Sequence, residues 1–496
     1  MAALSTKCDN PWAAKPLGMR DIRMINIEPS SDVHAPIVVT LKVISLDSPA
    51  LTQVLVRNDE SRVSYQALSY AWGSAEETKE VTCDGHAVAV TVNLYAALRR
   101  VREKIGRHGV DSALWADQLS IDQYNIQEKG LQVAMMGDIF EKARRLIIWL
   151  GEASEAQCIR LEDSALQRDT VAERRETLLR LSGLPWFTRR WVVQELSKQR
   201  IGTRYVLYGC TWLHLDRLRT AYRTAFLDRK ASPMSETNYL AAVIKELGHA
   251  PVLSWYCRGA FDNAVYASPL GPQLRRGGEV RTLLSALFRF RHTVCESAHD
   301  RIYALLSVSS SVFGLPIDYT LDADELYIRL ARILLPAFLL DVLICAACTG
   351  SAISRQQRQL PSWVPDWRFV RTDFVRNDTI GSSRAGWDIW LASEENNVLS
   401  LNGYVFDRST SWCVTDKGPK PLQDSESQAC PENAGSSYSP ISEAHERVLM
   451  LGLGIGYAFI LQETTMPDTF RLASGFTCDR NGLRDMQVWS TKVCII

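Results

Sequence analysis

Along the first 150 residues the spacing of apolar positions switches repeatedly between a period of two and a period near 3.6, which predicts alternating strands and helices. Strands are expected at 37–46 and 67–72. A hairpin follows at 81–92 with Asp84-Gly85 at its turn, and Asn93 stands where it would cap a helix running to about residue 107. A short strand at 113–117, a helix at 126–143 and a strand at 146–150, ended by Gly151, continue the series. Strand, helix, strand, helix in that order argues for a mainly parallel sheet with flanking helices, an α/β architecture.

From about Trp212 the pattern turns helical, with candidates at 215–227, 239–247, 282–289, 301–308 and 323–340, and 275–278 reads as a loop. After Cys348 the periodicity is lost. The prolines of 361–367 exclude a helix there. Residues 399–406 read as a strand, and 416–443, rich in Ser, Pro, Lys, Asp and Glu, as an exposed loop. The chain is thus expected to divide into an N-terminal lead (1–35), an α/β domain (36–205), a mostly α-helical region (206–350) and a small irregular or β C-terminal part (351–496).

Composition narrows the partners. The chain has 496 residues, more than one core usually serves. Its 56 Lys plus Arg balance 56 Asp plus Glu, so no basic field draws it to nucleic acid or to an acidic membrane surface. Residues 1–20 lack the apolar run of a secretory signal and the arginines of a transit sequence, so a cytoplasmic location is expected. The twelve Cys follow no disulfide framework, which favours reduced, mostly buried thiols. The most apolar stretches are 333–348, broken by Pro336 and Asp341, and 448–461, broken by Gly452, Gly454 and Gly456. Both are shorter than the roughly 20 residues that span a bilayer, so no membrane partner is expected.

Phosphate-binding, zinc-protease, serine-hydrolase and dinucleotide fingerprints are missing, and Gly452-Leu-Gly-Ile-Gly456 reads as tight packing. His292, Cys295 and His299 recur at helical spacing and suit zinc, but only Asp300 is near as a fourth ligand, so no metal is expected. Cys345-Ala-Ala-Cys348 lies in an apolar segment without a second pair, and buried thiols are the simpler reading.

Two polar features fall where apolar surface should be. Over 189–200, Trp191, Val192 and Leu196 share one helix face, and Glu195 falls angularly between Trp191 and Val192. A carboxylate aimed inward must be paired, hydrogen-bonded or facing a cleft, since burying it alone costs several kcal/mol. An ion pair with Arg190 or Arg144 is the structural alternative to a catalytic role. In the second feature, Asp117 ends its strand, Asp122 and Gln123 follow in a loop, and Glu128 and Gln132 lie on the apolar arc of Leu131, Met135, Met136, Ile139, Phe140 and Ala143. Because ligands bind outside the carboxyl ends of parallel strands, Asp117, Gln123, Glu128 and Gln132 form a candidate polar cluster there. A helix cap with a buried loop anchor is the alternative.

These blocks together resemble the fungal heterokaryon-incompatibility (HET) domain family. The resemblance rests on YQALSYAWG from Tyr65, LWADQLSIDQ from Leu114, ARRLIIWLG from Ala143 and PWFTRRWVVQEL from Pro185, the core blocks spanning 65–197. HDRIYALLSV from His299, LPIDYT from Leu315 and LPSWVPDW from Leu360 resemble segments found downstream of that domain. Much of the high Trp content, fourteen residues, lies in these blocks. Ser120 and Asp122 stand where the family usually has Cys and Asn, which rules out a cysteine nucleophile at that position.

The resemblance implies a TIR-like, flavodoxin-like fold. Its role would be nonself-recognition signalling that triggers programmed cell death, with protein partners, self-association included. It also implies an alternative. Enzymatic members of the TIR fold cleave NAD with a glutamate in a W-C-x-x-E-L helix, and Trp191-Val-Val-Gln-Glu195-Leu196 is similar, with Val192 in place of Cys. In that case Glu195 is the catalytic carboxylate, and Ser69, Trp72, Gly73, Asp117, Gln123, Glu128, Gln132 and Trp191 are the substrate-binding residues. NAD would be a substrate, with no bound cofactor. Nicotinamide leaves as a neutral group, so a carboxylate that offsets oxocarbenium charge would be the main protein contribution.

Overall fold

The computed structural model describes residues 10–52, 63–107, 110–161, 170–200, 202–226, 252, 283–308, 314–350 and 360–368, and eight strands between 389 and 495. The expected elements at 239–247 and 275–278, the glycines 452–456 and most of 416–443 lie outside the described residues. Two compact units emerge. The first comprises Met1–Leu283, His292–Val312 and Pro316–Thr320, and the second Leu284–Arg291, Phe313–Leu315 and Leu321–Ile496.

The first unit is organised by β3 (Gln66–Tyr70) and β7 (Arg145–Gly151). Every residue of β3 is buried, and β7 is buried apart from its ends, which is the unbroken apolar run of a strand covered on both faces. Parallel neighbours extend this pair, β6 (Ala113–Trp115) beside β3 and β8 (Arg204–Tyr208) beside β7. Numbered along the chain, these four parallel strands lie in the order 2-1-3-4.

The whole sheet is mixed, not mainly parallel. Its nine strands run β5-β4-β2-β1-β6-β3-β7-β8-β9. Added to the parallel core are β1 (Asp21–Ile27), β2 (Val38–Ser45), β4 (Thr78–Cys83), β5 (His86–Thr91) and β9 (Thr211–His214). Four pairings are parallel, β2–β4, β3–β6, β3–β7 and β7–β8, and four are antiparallel, β1–β2, β1–β6, β4–β5 and β8–β9. Two of the antiparallel pairings come from tight hairpins at the edges, which can join only antiparallel strands, and the other two from β1, which runs antiparallel to both its neighbours. At the first hairpin Asp84 (φ 47°) and Gly85 (φ 80°) both take the left-handed conformation that a two-residue turn requires. Strand β1 lies within the stretch expected to be a mere lead. Its register pairs Ile25 with both Leu41 and Leu114, which fixes it in the middle of the sheet.

Several boundaries move for similar reasons. Helix α1 (Val92–Lys104) is capped by Thr91, whose hydroxyl accepts from the Leu94 N–H, rather than by Asn93. Asp117 does not end a strand but opens α2 (Asp117–Ser120), one turn before α3 (Ile126–Lys142). After β7 come α4 (Glu155–Leu161), α5 (Val171–Ser182), a 3-10 turn (Pro185–Thr188) and α6 (Trp191–Lys198). Helical structure resumes only after the β8–β9 hairpin, in α7 (Leu215–Phe226). On one side α1 buries Leu94, Leu98 and Val101 against Leu68, Ile147, Trp149 and Leu207. Helices α3 and α6 pack on each other, and Phe140 of α3 meets Trp115 edge to face at 5.6 Å.

The segment 290–299, expected to carry His292, Cys295 and His299 at helical spacing, is not helical. Val294 bridges Arg189 in parallel, and the Arg190 N–H donates 2.9 Å to the Val294 carbonyl. Helix α9 (Asp300–Leu306) follows, after α8 (Leu283–Arg289). In the second unit α10 (Ala323–Gly350) runs past residue 340 and through Pro336, because a proline removes one helical donor without preventing the turns on either side. Among the described residues no helix is long and apolar enough to cross a membrane. Residues 360–368 form turns, with Trp363 buried and Asp366 paired to Arg368.

The C-terminal strands are β10 (Ile389–Ser393), β11 (Val398–Phe406), β12 (Trp412–Thr415), β13 (Gly418–Pro421), β14 (Glu446–Met450), β15 (Tyr457–Glu463), β16 (Thr469–Thr477) and β17 (Val488–Ile495). Apart from the β12–β13 hairpin they form one sheet in which β11 also pairs with β17, so the ladder from β11 through β14, β15 and β16 returns on itself.

Candidate functional site

The carboxyl ends of the parallel strands bring six of the nine expected residues together, Ser69, Trp72, Gly73, Asp117, Gln123 and Glu195. Ser69, the penultimate residue of β3, donates from its hydroxyl to Glu195 Oε2 and accepts from Trp186 Nε1 at 2.7 Å. Ser69 is 1% exposed and Glu195 3%. Next along β3, the Tyr70 hydroxyl donates to Asp117 Oδ1 at 2.5 Å, and Trp72 Nε1 donates to Asp117 Oδ2 at 2.8 Å. Asp117 Oδ1 also takes the N–H of Gln118 at 2.8 Å, and the Asp117 carbonyl takes Gln123 Nε2 at 2.9 Å. Gly73, with φ 78°, turns the chain away from the strand.

Arg189 joins the two halves. Its Nη1 donates to the Tyr70 carbonyl and lies 3.9 Å from Glu195 Oε1. Neither Arg190 nor Arg144 fills that role: Arg190 Nη1 donates to Thr293 Oγ1 at 3.1 Å, and Arg144 pairs with Asp111. Burial drives the Glu195 carboxyl up to about 7, against the pull of the Arg189 guanidinium and the Ser69 hydroxyl, with the Asp117 carboxylate adding to the rise. Burial, then Asp117, pushes the Tyr70 phenol well above its ordinary value, so Tyr70 is a fixed donor.

The remaining expected residues lie apart from this group. Glu128 forms a two-pronged ion pair with Arg23, at 2.5 and 3.0 Å, and Arg23 is 1% exposed on β1. Gln132 Nε2 donates 2.8 Å to the Asp21 carbonyl, again on β1. Both act as anchors between α3 and a strand outside the expected domain. Trp191 faces the other way, its Nε1 donating 3.1 Å to Asp300 Oδ2, whose partner oxygen takes the Tyr319 hydroxyl at 2.7 Å. Burial raises the Asp300 pKa.

Asn93, expected only as a helix cap, and Trp186 and Arg189, unremarked in the sequence, complete the arrangement. Asn93 Nδ2 donates 2.5 Å to the Ala71 carbonyl, and its Oδ1 accepts from Trp149 Nε1 at 2.8 Å, tying the exit of β3 to β7. Trp186 and Arg189 sit in the same block as Glu195, nine and six residues before it, Trp186 within the 3-10 turn and Arg189 directly after it, both outside the helix that carries Glu195. Chemically the group is a closed relay. The Ser69 proton is committed to Glu195 and its lone pair to Trp186, which makes it a bridge between β3, the 3-10 turn and α6. Among the described residues no group of three or more His, Cys, Asp or Glu could hold a metal ion.

These residues fall in a recognisable segment. The family model described as heterokaryon incompatibility protein (HET) matches residues 65–195, from Tyr65 to Glu195. Over 148 residues the chain is 34% identical to heterokaryon incompatibility protein 6, OR allele, of Neurospora crassa. The aligned span is 28% of this chain and 21% of that protein, so only about a fifth of the relative is matched. No solved structure matches the chain.

Proposed function

We propose that the chain acts in fungal nonself recognition, its HET segment serving as an interaction module whose engagement with protein partners, or with another copy of itself, triggers programmed cell death. The observation that supports this reading is the closure of the Ser69–Glu195 group. With Glu195 3% exposed and its oxygens taken up by Ser69 and Arg189, the polar residues of the segment join β3 to α6. A module that signals by binding needs such a rigid frame.

A second reading draws on a different observation. The 2-1-3-4 order of the parallel strands is that of flavodoxin-like sheets, and Glu195 stands at their carboxyl edge, the usual position for a ligand. This supports a TIR-like frame in which Glu195 cleaves NAD, a reaction that requires the site to open first.

The test is inducible expression of the wild-type chain and of Glu195→Gln in compatible and incompatible fungal fusions, scoring viability, with NAD turnover measured on both purified proteins. Death restricted to incompatible fusions, kept by the variant, without NAD turnover, is the expected result. NAD turnover by the wild type that a folded Glu195→Gln variant lacks would replace it with the second reading.

A further inference from the structure

Cys158 of α4, inside the HET-matched segment, and Cys210 of the β8–β9 turn, beyond it, meet apart from the group around Glu195. The Cys210 N–H donates 3.4 Å to Cys158 Sγ, and the Cys210 thiol hydrogen-bonds the same sulfur. Both are free thiols, Cys158 buried and Cys210 exposed. The surroundings hold the two sulfurs in register. Thr211 Oγ1 donates 3.0 Å to the Cys158 carbonyl, and the Gly209 N–H donates 2.9 Å to the Gly151 carbonyl. Gly209 has φ 54°, and a Cβ there would lie 2.9 Å from Cys158 Sγ and 2.8 Å from the Ala153 Cβ. Only glycine lets the turn come this close to the helix.

We propose that Cys158 and Cys210 form a thiol–disulfide switch, oxidised by low-molecular-weight disulfides of the glutathione class. Exposure assigns the roles. The Cys210 sulfur attacks one sulfur of the small disulfide, whose S–S bond breaks, giving a mixed disulfide on Cys210 and releasing the first small thiol. The Cys158 sulfur then attacks the Cys210 sulfur, the mixed bond breaks, and the second small thiol leaves. Both protons of the protein thiols end on the released thiols, two protein sulfurs are oxidised and one external disulfide is reduced. Burial pushes the Cys158 thiol up, but hydrogen bonds from Cys210 and Thr211 outweigh it and hold its pKa below the ordinary thiol value, which suits the second attack. The product would clip α4 to the β8–β9 hairpin, and such reversible bonds are the form disulfides take in reducing compartments.

The test is titration of the full-length protein with oxidised glutathione at neutral pH, followed by alkylation of remaining thiols and peptide mapping. The expected result is joint loss of the Cys158 and Cys210 thiols into one internal bond that dithiothreitol reverses. Cys158→Ser should retain one glutathione on Cys210, and Cys210→Ser should leave Cys158 unmodified, with circular dichroism confirming that both variants are folded. Stable glutathione on Cys210 of the wild type without a bond to Cys158, or pairing of either residue with a different cysteine, would overturn the proposal. Should both serine variants fail to fold, the wild-type peptide map alone decides between these outcomes.

Discussion

The Ser69 hydroxyl and the Glu195 carboxylate, 126 residues apart in sequence, share a hydrogen bond with neither side chain open to solvent. That bond joins the centre of the sheet to α6, and the burial that comes with it raises the pKa of Glu195, which has a measurable consequence.

Burial raises the Glu195 pKa in the folded protein to about 7, so the folded state holds a proton that the unfolded chain has already released. Stability from this group is fully present below an unfolded pKa of about 4.3 and is lost as pH rises through about 7. The shift corresponds to something on the order of 3 kcal/mol. Glu195→Gln mimics the protonated form. Denaturant unfolding between about pH 5 and pH 8 should show wild type losing stability relative to the variant as pH rises. Asp300, also raised by burial, contributes with the same sign to both proteins and cancels in the comparison. Parallel pH profiles would show that Glu195 does not titrate in this range.

Asp117 accepts from two aromatic donors, the Tyr70 hydroxyl and the Trp72 indole. Asp117→Ala should cost about 1–3 kcal/mol for each stranded donor that stays buried. Tyr70→Phe in that background should then cost less than it does alone. A double-mutant cycle by urea unfolding measures the coupling, and strict additivity would mean that the two side chains do not interact.

Thr91 and Asn93 distinguish a cap from a cross-strand tie. Thr91→Ala removes the α1 cap and should cost about 1 kcal/mol. Asn93→Ala strands the buried Trp149 indole and the Ala71 carbonyl together and should cost more, about 2–3 kcal/mol. Equal losses in thermal or chemical unfolding would contradict the structural assignment.

The Arg23–Glu128 pair is buried on the arginine side, where Arg23 also donates to the carbonyls of Lys15 and Trp12. Glu128→Gln leaves that guanidinium without its counter-charge and should cost about 3–5 kcal/mol. Arg23→Met with Glu128→Leu should recover part of the loss, since a packed apolar pair replaces a broken ionic one. Unfolding midpoints of the wild type and the two variants test this order. The same experiment asks whether Glu128 is an anchor of β1, in which case its loss lowers stability without altering partner binding by the folded fraction.

Periodicity located the hairpin at Asp84-Gly85, the buried strands β3 and β7, and helices α3 and α7, because each carries its own repeat in consecutive residues. It also placed Glu195 on a buried face. Strand β1 escaped, since Arg23 and Asn26 interrupt its apolar run, and what makes β1 internal, its pairing with β6, depends on residues far along the chain. In the sequence alone Asn93 reads as a cap, because Asn is a good cap in isolation. Only the approach of Ala71 and Trp149 reveals its other use.

By itself the sequence determined which residues must be inside, that strands and helices alternate, and that the blocks from Tyr65 to Glu195 match the heterokaryon-incompatibility family model. The tertiary structure decided which polar side chains share a site. It joined Ser69, Glu195, Trp186 and Arg189, separated Glu128, Gln132 and Trp191 from them, and made the sheet mixed. The physical reason is range. Burial patterns follow from short periods along the chain, whereas a hydrogen bond or a strand pairing depends on distances of a few ångströms between residues that folding alone brings together.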